Sequence, residues 1–274
     1  MPSFDELKEL HKADRLAVRK IEKLILSHGK FSFNSQDLHN LGIRKLHNSF
    51  EGKQPKLDPC FFTPYPQDIM VRPTDGWTAQ KFPSYAASAE SPIERARSLY
   101  DFLAAYLGGY RIRKLKPEHI KCNSEWVYQD INEYGFKGLD EDGRTPNAAG
   151  QSPPQWVVLS IYHNEKGESP HLKGTMISDI EGKDVILYRG EILALVRIIK
   201  SRLHQSAFAT HDFHPVFMLS ITGTQHVRII QGHFDGTILI IQHSKFYNMQ
   251  KSNDDTLKLL ASLLFGPAPA TTRK

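Results

Sequence analysis

The sequence is poor in the features that assign a protein to a class at first sight. Its 274 residues include only two cysteines, Cys60 and Cys122, too few for a disulfide scaffold. No apolar run approaches the roughly 18 residues that a membrane-spanning helix needs. The first 20 residues are charged throughout and do not match a secretory signal. We therefore expect a cytoplasmic or nuclear protein that has no membrane partner.

Signatures of known chemistry are also absent. The sequence has neither a Gly-x-Gly-x-x-Gly nor a Gly-x-Ser-x-Gly motif, which argues against the common dinucleotide-binding and serine-hydrolase folds. Residues 138–145 match the spacing of a phosphate-binding loop, but three carboxylates inside that stretch would repel a phosphate. His211 and His214 lie in a predicted loop without thiolate partners. We expect no metal site and no cofactor.

What the chain does contain is a large amount of apolar and aromatic surface. Hydrophobic residues make up 40% of it, and 15 Phe, 10 Tyr and 3 Trp cannot all remain in water, which excludes a disordered chain. The 35 basic and 30 acidic side chains leave a formal net charge of only +5. This small excess permits an acidic partner without requiring one.

Two helices are predicted in the N-terminal half of the chain. The first begins at a capping-box pattern that starts with Ser3, and the second begins at Ser91. Between the helices, six prolines in residues 31–90 predict an irregular arm. We expect this helical and irregular region, residues 1–139, to pack on the core of the protein. A flexible loop is expected at residues 140–154.

The C-terminal part of the chain shows the clearest pattern. Residues 155–265 predict an α-β-β-β-α module with strands at 215–222, 226–234 and 237–243, followed by a loose tail at 266–274. Ser252 or Asn253 is the predicted N-cap of its last helix. We classify the fold as α+β: an antiparallel three- to four-stranded sheet flanked by helices, with an N-terminal helical and irregular arm. Two separate domains divided near Asp140 are the alternative.

A polar patch is expected on the hairpin of this module. Asp235-Gly236 predicts a two-residue turn. Counting outward from that turn, Arg228 faces His243 and His226 faces Lys245 on one side of the sheet. Because like charges directly opposed destabilise a sheet, the patch needs solvent, a carboxylate or a bound anion beside it.

The carboxylate expected nearest to this patch belongs to Glu191, in the first turn of the preceding helix. The candidate catalytic residues are therefore Glu191, His226, His243 and Lys245. The candidates for binding an anion or a nucleic acid are Arg228, Lys245, Arg111, Arg113 and Lys114. The last three belong to a basic stretch, which we expect the acidic stretch at 125–142 to neutralise. Nucleic acid is therefore not the favoured partner.

The order of elements in the module resembles the core of the PD-(D/E)XK nucleases. The likeness depends on Glu191 in the first helix and Lys245 after the third strand. It implies an acid on the second strand and an acid-x-Lys on the third, which together hold magnesium. Here His226 takes the place of the first acid, and His243-Ser-Lys245 replaces the acid-x-Lys. Since a hard cation needs oxygen ligands, this resemblance implies a degenerate site without its metal.

The same module contains a set of short motifs. They read Tyr188-Arg-Gly-Glu191, His214-Pro-Val216, Ser220-x-x-Gly223-x-x-His226-x-Arg228-Ile229, Asp235-Gly-x-x-Leu239 and Ser244-Lys-x-Tyr247. In these motifs the module is similar to uncharacterised proteins of filamentous fungi. The likeness covers residues 155–265 and implies no known activity. Some similar small fungal proteins belong to gene clusters for specialised metabolites.

Three functions remain open at this point. The first is an intracellular accessory or binding protein with a small molecule or a protein as its partner, and the absence of catalytic signatures favours it. The second is a nuclease-like module that binds or cleaves nucleic acid. The third is a small-molecule enzyme in which Glu191 and His226 act as acid and base.

Overall fold

The computed structural model describes residues 4–51, 60–73, 81–85, 90–136, 152–165, 167, 169–269 and 272. The helices in these ranges are α1 (Phe4–Ser27), α2 (Ser35–Asn40), α3 (Pro92–Tyr106), α4 (Arg189–Leu203) and α5 (Asp254–Phe265). The strands are β1 (Ser32–Phe33), β2 (Ile43–His47), β3 (Met70–Val71), β4 (Arg111–Ile112), β5 (Trp126–Gln129), β6 (Trp156–Asn164), β7 (Leu172–Ser178), β8 (Leu187–Tyr188), β9 (Val216–Thr222), β10 (His226–Phe234), β11 (Leu239–His243) and β12 (Tyr247–Asn248).

The described residues form one large sheet of eight strands. Its order is β2-β11-β10-β9-β7-β6-β5, and β12 pairs with the first residues of β10. Two of its pairs, β2 with β11 and β7 with β9, are parallel. Two small two-stranded sheets, β1 with β8 and β3 with β4, complete the described β-structure.

The predicted antiparallel sheet of three to four strands was therefore wrong. The prediction recognised β9, β10 and β11 but missed their partners on both sides. On one side, β7 contains Lys173 and Gly174 and lacks the alternation that signals a half-buried strand, because it is buried along its whole length. On the other side, β2 lies about 200 residues before β11 in the chain, and no local pattern reveals so distant a partner.

Helix α4 is the crossover that makes the β7–β9 parallel pair feasible. It runs between the two strands in the chain, and twelve of its fifteen residues are buried. One side of the helix packs on the sheet, and the other is covered by α1. The Glu22 carboxylate of α1 accepts hydrogen bonds from Arg197 and Lys200 of α4, and Arg15 donates to the Leu203 carbonyl at 3.2 Å. The N-terminal helix thus packs on α4.

The sheet has an apolar core on each face. The core on the α4 side includes Val18 of α1, Leu195 of α4 and Ile230 of β10. The core on the opposite face joins α3 and α5 to the sheet through residues such as Leu99 and Leu257. The layers are therefore α1, α4, the sheet, and α3 with α5.

Two of the expected helix caps are present. Ser91 and Glu94 form a capping box at the start of α3: the Ser91 backbone N–H donates to the Glu94 carboxylate at 2.9 Å. Asn253 caps α5 by accepting from the Thr256 backbone N–H at 3.0 Å. The expected cap at Ser3 lies outside the described residues, as does most of the expected loop at 140–154.

The predicted register of the β10–β11 hairpin was wrong by two residues. Phe234 pairs with Leu239, so His243 faces Ile230 and not Arg228. The turn spans four residues because the Asp235 carboxylate accepts from the backbone N–H groups of Thr237 and Ile238, at 2.8 Å each. A shift of two residues keeps every side chain on the predicted face of the sheet.

A buried lysine ties the end of α5 to the sheet. Lys173 of β7 donates hydrogen bonds to the carbonyls of Leu263, Leu264 and Gly266, at 2.7, 3.0 and 2.6 Å. The Trp126 ring lies 4.2 Å from its nitrogen, and the Trp126 indole also donates to the Gly266 carbonyl. Burial lowers the pKa of Lys173 below its usual value. The ammonium form supplies a donor for all three carbonyls of the negative helix end.

Replacing Lys173 with methionine keeps much of the side-chain length but leaves three buried carbonyls without their donor. We expect the free energy of unfolding to fall by about 2–4 kcal/mol. Urea denaturation followed by circular dichroism measures this change. The exposed substitution Lys20→Met should change stability by less than about 0.5 kcal/mol. Equal stabilities for the two variants would show that Lys173 does not anchor α5.

Candidate functional site

The expected patch contains a buried ion pair at its centre. Arg228 donates from Nε to Oε1 of Glu191 at 2.7 Å, and its Nη2 bonds to Oε2 of the same carboxylate. The third nitrogen, Nη1, donates to the Ile186 carbonyl at 2.8 Å. The side chains of Arg228 and Glu191 are 0% and 1% exposed. The guanidinium therefore binds the carboxylate at two points, which is the strongest geometry for such a pair.

Both members of the pair have further partners. The Glu191 carboxylate accepts from the Ser220 hydroxyl at 2.7 Å and from the Tyr188 backbone N–H at 2.9 Å. The Arg228 guanidinium lies 4.4 Å from the ring centre of Phe246 and 5.7 Å from that of Tyr188. A proton donor or acceptor in catalysis must reach its substrate. Glu191 is instead enclosed and occupied by four hydrogen bonds from protein groups.

His243 is the third candidate brought close to this pair. Its ring is buried, its Nδ1 lies 2.9 Å from the Ser244 carbonyl, and its Nε2 has no hydrogen-bond partner among the described residues. The His47 ring lies 5.5 Å away. Burial lowers the pKa of His243 to about 4, with Arg228 contributing in the same direction. His243 is therefore neutral near pH 7.

His226 and Lys245 lie apart from the ion pair. The chain leaves β11 at His243 and returns as β12, so that Tyr247 and Asn248, and not Lys245, pair with the start of β10. His226 is partly exposed and contacts the Thr224 carbonyl at 2.9 Å. Lys245 is exposed and forms an ion pair with Glu51 at 3.1 Å. The structure thus brings together Glu191, Arg228 and His243 but leaves out His226 and Lys245.

Lys245 lines a groove of about 620 Å³ between β12, the start of α5 and the irregular arm. Tyr247 also lines the groove, with the Lys245 nitrogen 5.8 Å from its ring centre. We name it the Lys245 groove. The polar side chains that line it include Glu51, Gln67, Lys245, Asn248, Asn253 and Asp255.

Among the residues that line this groove, sequence reasoning named only Lys245 as a candidate functional residue. Glu51 and Gln67 come from the arm, Asn248 from β12, and Asn253 and Asp255 from the start of α5. Separate segments meet here only because the sheet and α5 bring them together. The one local signal was the predicted N-cap at residues 252–253, which correctly located the start of α5.

The basic candidates Arg111, Arg113 and Lys114 lie in and after β4. Arg111 pairs with Glu118 at 3.6 Å, whereas the exposed side chains of Arg113 and Lys114 make no ion pair with any described residue. The acidic stretch that was expected to neutralise them is engaged elsewhere as far as the structure describes it. For example, Glu125 accepts from the Asn164 amide at 2.7 Å. The acids at 140–142 lie outside the described residues.

Several other histidines are buried in the protein and held neutral. Burial lowers the pKa of His171 and His214 to about 3 and that of His233 to about 4. The Nε2 atoms of His171 and His214 lack a hydrogen-bond partner in the part of the chain that is described. Across that part, no three His, Cys, Asp or Glu side chains are grouped so that they could hold a metal ion.

Comparisons with known protein families, with curated proteins and with solved structures found no match. The likenesses to fungal proteins and to the PD-(D/E)XK nucleases therefore stay predictions. Among the described residues, no helix is long and apolar enough to cross a bilayer. The case for a function depends on the geometry alone.

Acid should destabilise this protein strongly. His171, His214, His233 and His243 have pKa values of about 3 to 4 when folded, against 6.5 as the ordinary value. Their contribution to stability is complete above pH 6.5 and is lost as the pH falls toward the folded pKa values. Each group costs about 1.4 kcal/mol per pH unit in that range.

We expect urea midpoints to fall steeply between pH 6.5 and 5, and His233→Gln should make this slope shallower. The exposed control His39→Gln should leave the slope unchanged. A stability that is flat over this range would contradict the neutral, buried state of these four histidines.

Removing one member of the buried ion pair should be costly. Arg228→Met leaves the Glu191 carboxylate buried without its partner, which we expect to lower the free energy of unfolding by about 3–5 kcal/mol. The double variant Glu191→Leu/Arg228→Met should be more stable than Arg228→Met, because no charge is then left buried. Lys245→Met likewise removes the cation of an ion pair, but of an exposed one, and should lower the free energy of unfolding by at most about 1 kcal/mol. Similar losses for Arg228→Met and Lys245→Met would refute this assignment.

Proposed function

We propose that this chain is a binding protein and not an enzyme, and that its ligand site is the Lys245 groove. The proposal rests on a difference in how far two sets of charged groups are accessible to a ligand. The groove opens several charged and amide groups to one space, whereas Glu191, the expected acid or base, is enclosed by its own partners. The expected pairing of Glu191 with His226 as acid and base is accordingly not part of the proposal.

The groove suits a polar ligand that carries both an amino and a carboxylate group. The pair of Lys245 with Glu51 is 54% and 52% exposed, so it contributes little stability and can be exchanged for ligand contacts. A ligand carboxylate would replace Glu51 on the Lys245 ammonium. A ligand amine would be held by Glu51 and by Asp255 in the first turn of α5. Amino acids and short peptides have this chemistry.

Asn248 and Gln67 add amide groups that can donate to and accept from a peptide backbone. This recognition requires no covalent chemistry, which agrees with the absence of catalytic motifs from the sequence. An accessory role in the cytoplasm or nucleus, in the context of specialised metabolism in fungi, remains our preferred setting. That setting depends on the sequence resemblance.

The groove proposal can be tested by nuclear magnetic resonance on the ¹⁵N-labelled full chain. The probes are the twenty free amino acids and the dipeptides Lys-Glu and Gly-Gly. We expect at least one probe to shift the backbone amides of Lys245, Asn248 and Asp255. Lys245→Met and Asp255→Asn should each weaken its binding by about tenfold, because each removes one charged contact.

Lys20→Met, which removes an exposed charge from α1, is the matched control and should leave the affinity unchanged. Shifts located outside the groove, or the lack of any shift with all probes, would overturn the assignment of this ligand class.

A further inference from the structure

The basic candidates from the sequence lie on a protruding loop with a rigid base. The loop leaves the sheet after β4 and returns at His119, which bridges antiparallel to Arg111. The Ile112 backbone N–H donates to the Glu118 carbonyl at 2.7 Å, and that of Ile120 donates to the Tyr110 carbonyl at 2.7 Å. The side chains of Ile112 and Ile120 are buried. The loop is therefore a short two-stranded ribbon fixed to the body.

The tip of this ribbon is formed by residues 113–117, and all five are exposed. We name it the basic tip. Arg113, Lys114 and Lys116 each add a positive charge to it, and none of them makes an ion pair with a described residue. Leu115 lies between the two lysines and is 40% exposed. Within the described residues, the basic tip thus presents three cations without an ion-pair partner around one apolar side chain.

The backbone also holds the tip in a defined shape. Arg113 donates from its backbone N–H to the carbonyl of Ile69 at 2.9 Å, which attaches the tip to the residue just before β3. The Asn123 amide reaches the Pro117 carbonyl at 2.5 Å on the returning side. Lys114 adopts a positive φ of 70°. A shape fixed before binding reduces the entropy that association must overcome.

We infer that the basic tip docks into a groove of duplex nucleic acid. The major groove of B-form DNA, about 12 Å wide, accepts a two-stranded ribbon. In that position, cations on the rim of the ribbon meet the phosphates of both strands. The exposed Leu115 side chain contacts base edges at the floor of the groove. The inference concerns a surface separate from the Lys245 groove and does not depend on a ligand there.

The charges on this surface differ from what the sequence led us to expect. A basic stretch followed by an acidic one was expected to be neutralised by its neighbour. In the described residues the acids of that neighbour bind elsewhere, and only Glu118 pairs with a member of the basic stretch, Arg111. No acid in the described ranges pairs with Arg113, Lys114 or Lys116, which leaves their positive charge available to phosphates.

The test is fluorescence anisotropy of a labelled duplex DNA of about 20 base pairs, titrated with the full chain at several salt concentrations. Three phosphate contacts predict a slope of about −2.7 for log affinity against log salt, which means about 40-fold weaker binding at 200 than at 50 mM salt. The test variant combines Arg113→Gln, Lys114→Asn and Lys116→Gln. Asparagine suits position 114 because it tolerates a positive φ.

We expect this triple variant to bind at least about tenfold more weakly at low salt and to lose most of the salt dependence. The matched control, Arg19→Gln with Lys20→Gln and Lys23→Gln, removes the same net charge from exposed positions on α1. It should bind like the parent.

Equal losses in the two triple variants would show that only net charge matters and would overturn the inference. Failure of the parent chain to bind the duplex would overturn it as well. Binding to vesicles that contain phosphatidylserine, without binding to the duplex, would assign the tip to a membrane surface instead.

Discussion

The ion pair of Arg228 with Glu191 is the constraint on which the centre of this structure depends. Removing a guanidinium and a carboxylate from water is expensive, and the cost is recovered only where every polar atom has a well-placed partner. Here the partners come from α4, β9, β10 and the segment that leads into β8. Those elements must hold their relative positions for the pair to form. The pair therefore sets how α4 lies on the sheet.

The same physical rule explains why the candidate catalytic groups do not form an active centre. In a folded interior, a polar or charged group is tolerated only when it has hydrogen-bond partners, as Lys173 has in the three carbonyls at the end of α5. Buried histidines avoid the cost by remaining neutral. Groups that are free to meet a ligand must lie at the surface, where exposed pairs are weak and exchangeable. Lys245 in its groove and the cations of the basic tip satisfy this condition.

Local features were predicted well from the sequence because they depend on neighbouring residues. Ser91 and Asn253 begin helices where capping chemistry requires, and the bounds of β10 agree with its pattern of apolar residues. The face of the hairpin that carries Arg228 was also identified, since it follows from the alternation of a strand. The register failed by two residues because the Asp235 side chain organises a longer turn than Asp235-Gly236 alone suggests.

The sequence by itself thus determined helices α1, α3, α4 and α5 and strands β9, β10 and β11, because these follow from spacing and capping along the chain. Only the tertiary structure decided that β7 and β2 extend the sheet through parallel pairs, since such pairing joins segments far apart in sequence. The tertiary structure also decided which charged groups are paired with one another inside the protein. Glu191 is bound by Arg228 inside the protein, whereas Lys114 lies exposed and the acid nearest to it in sequence, Glu118, pairs with Arg111.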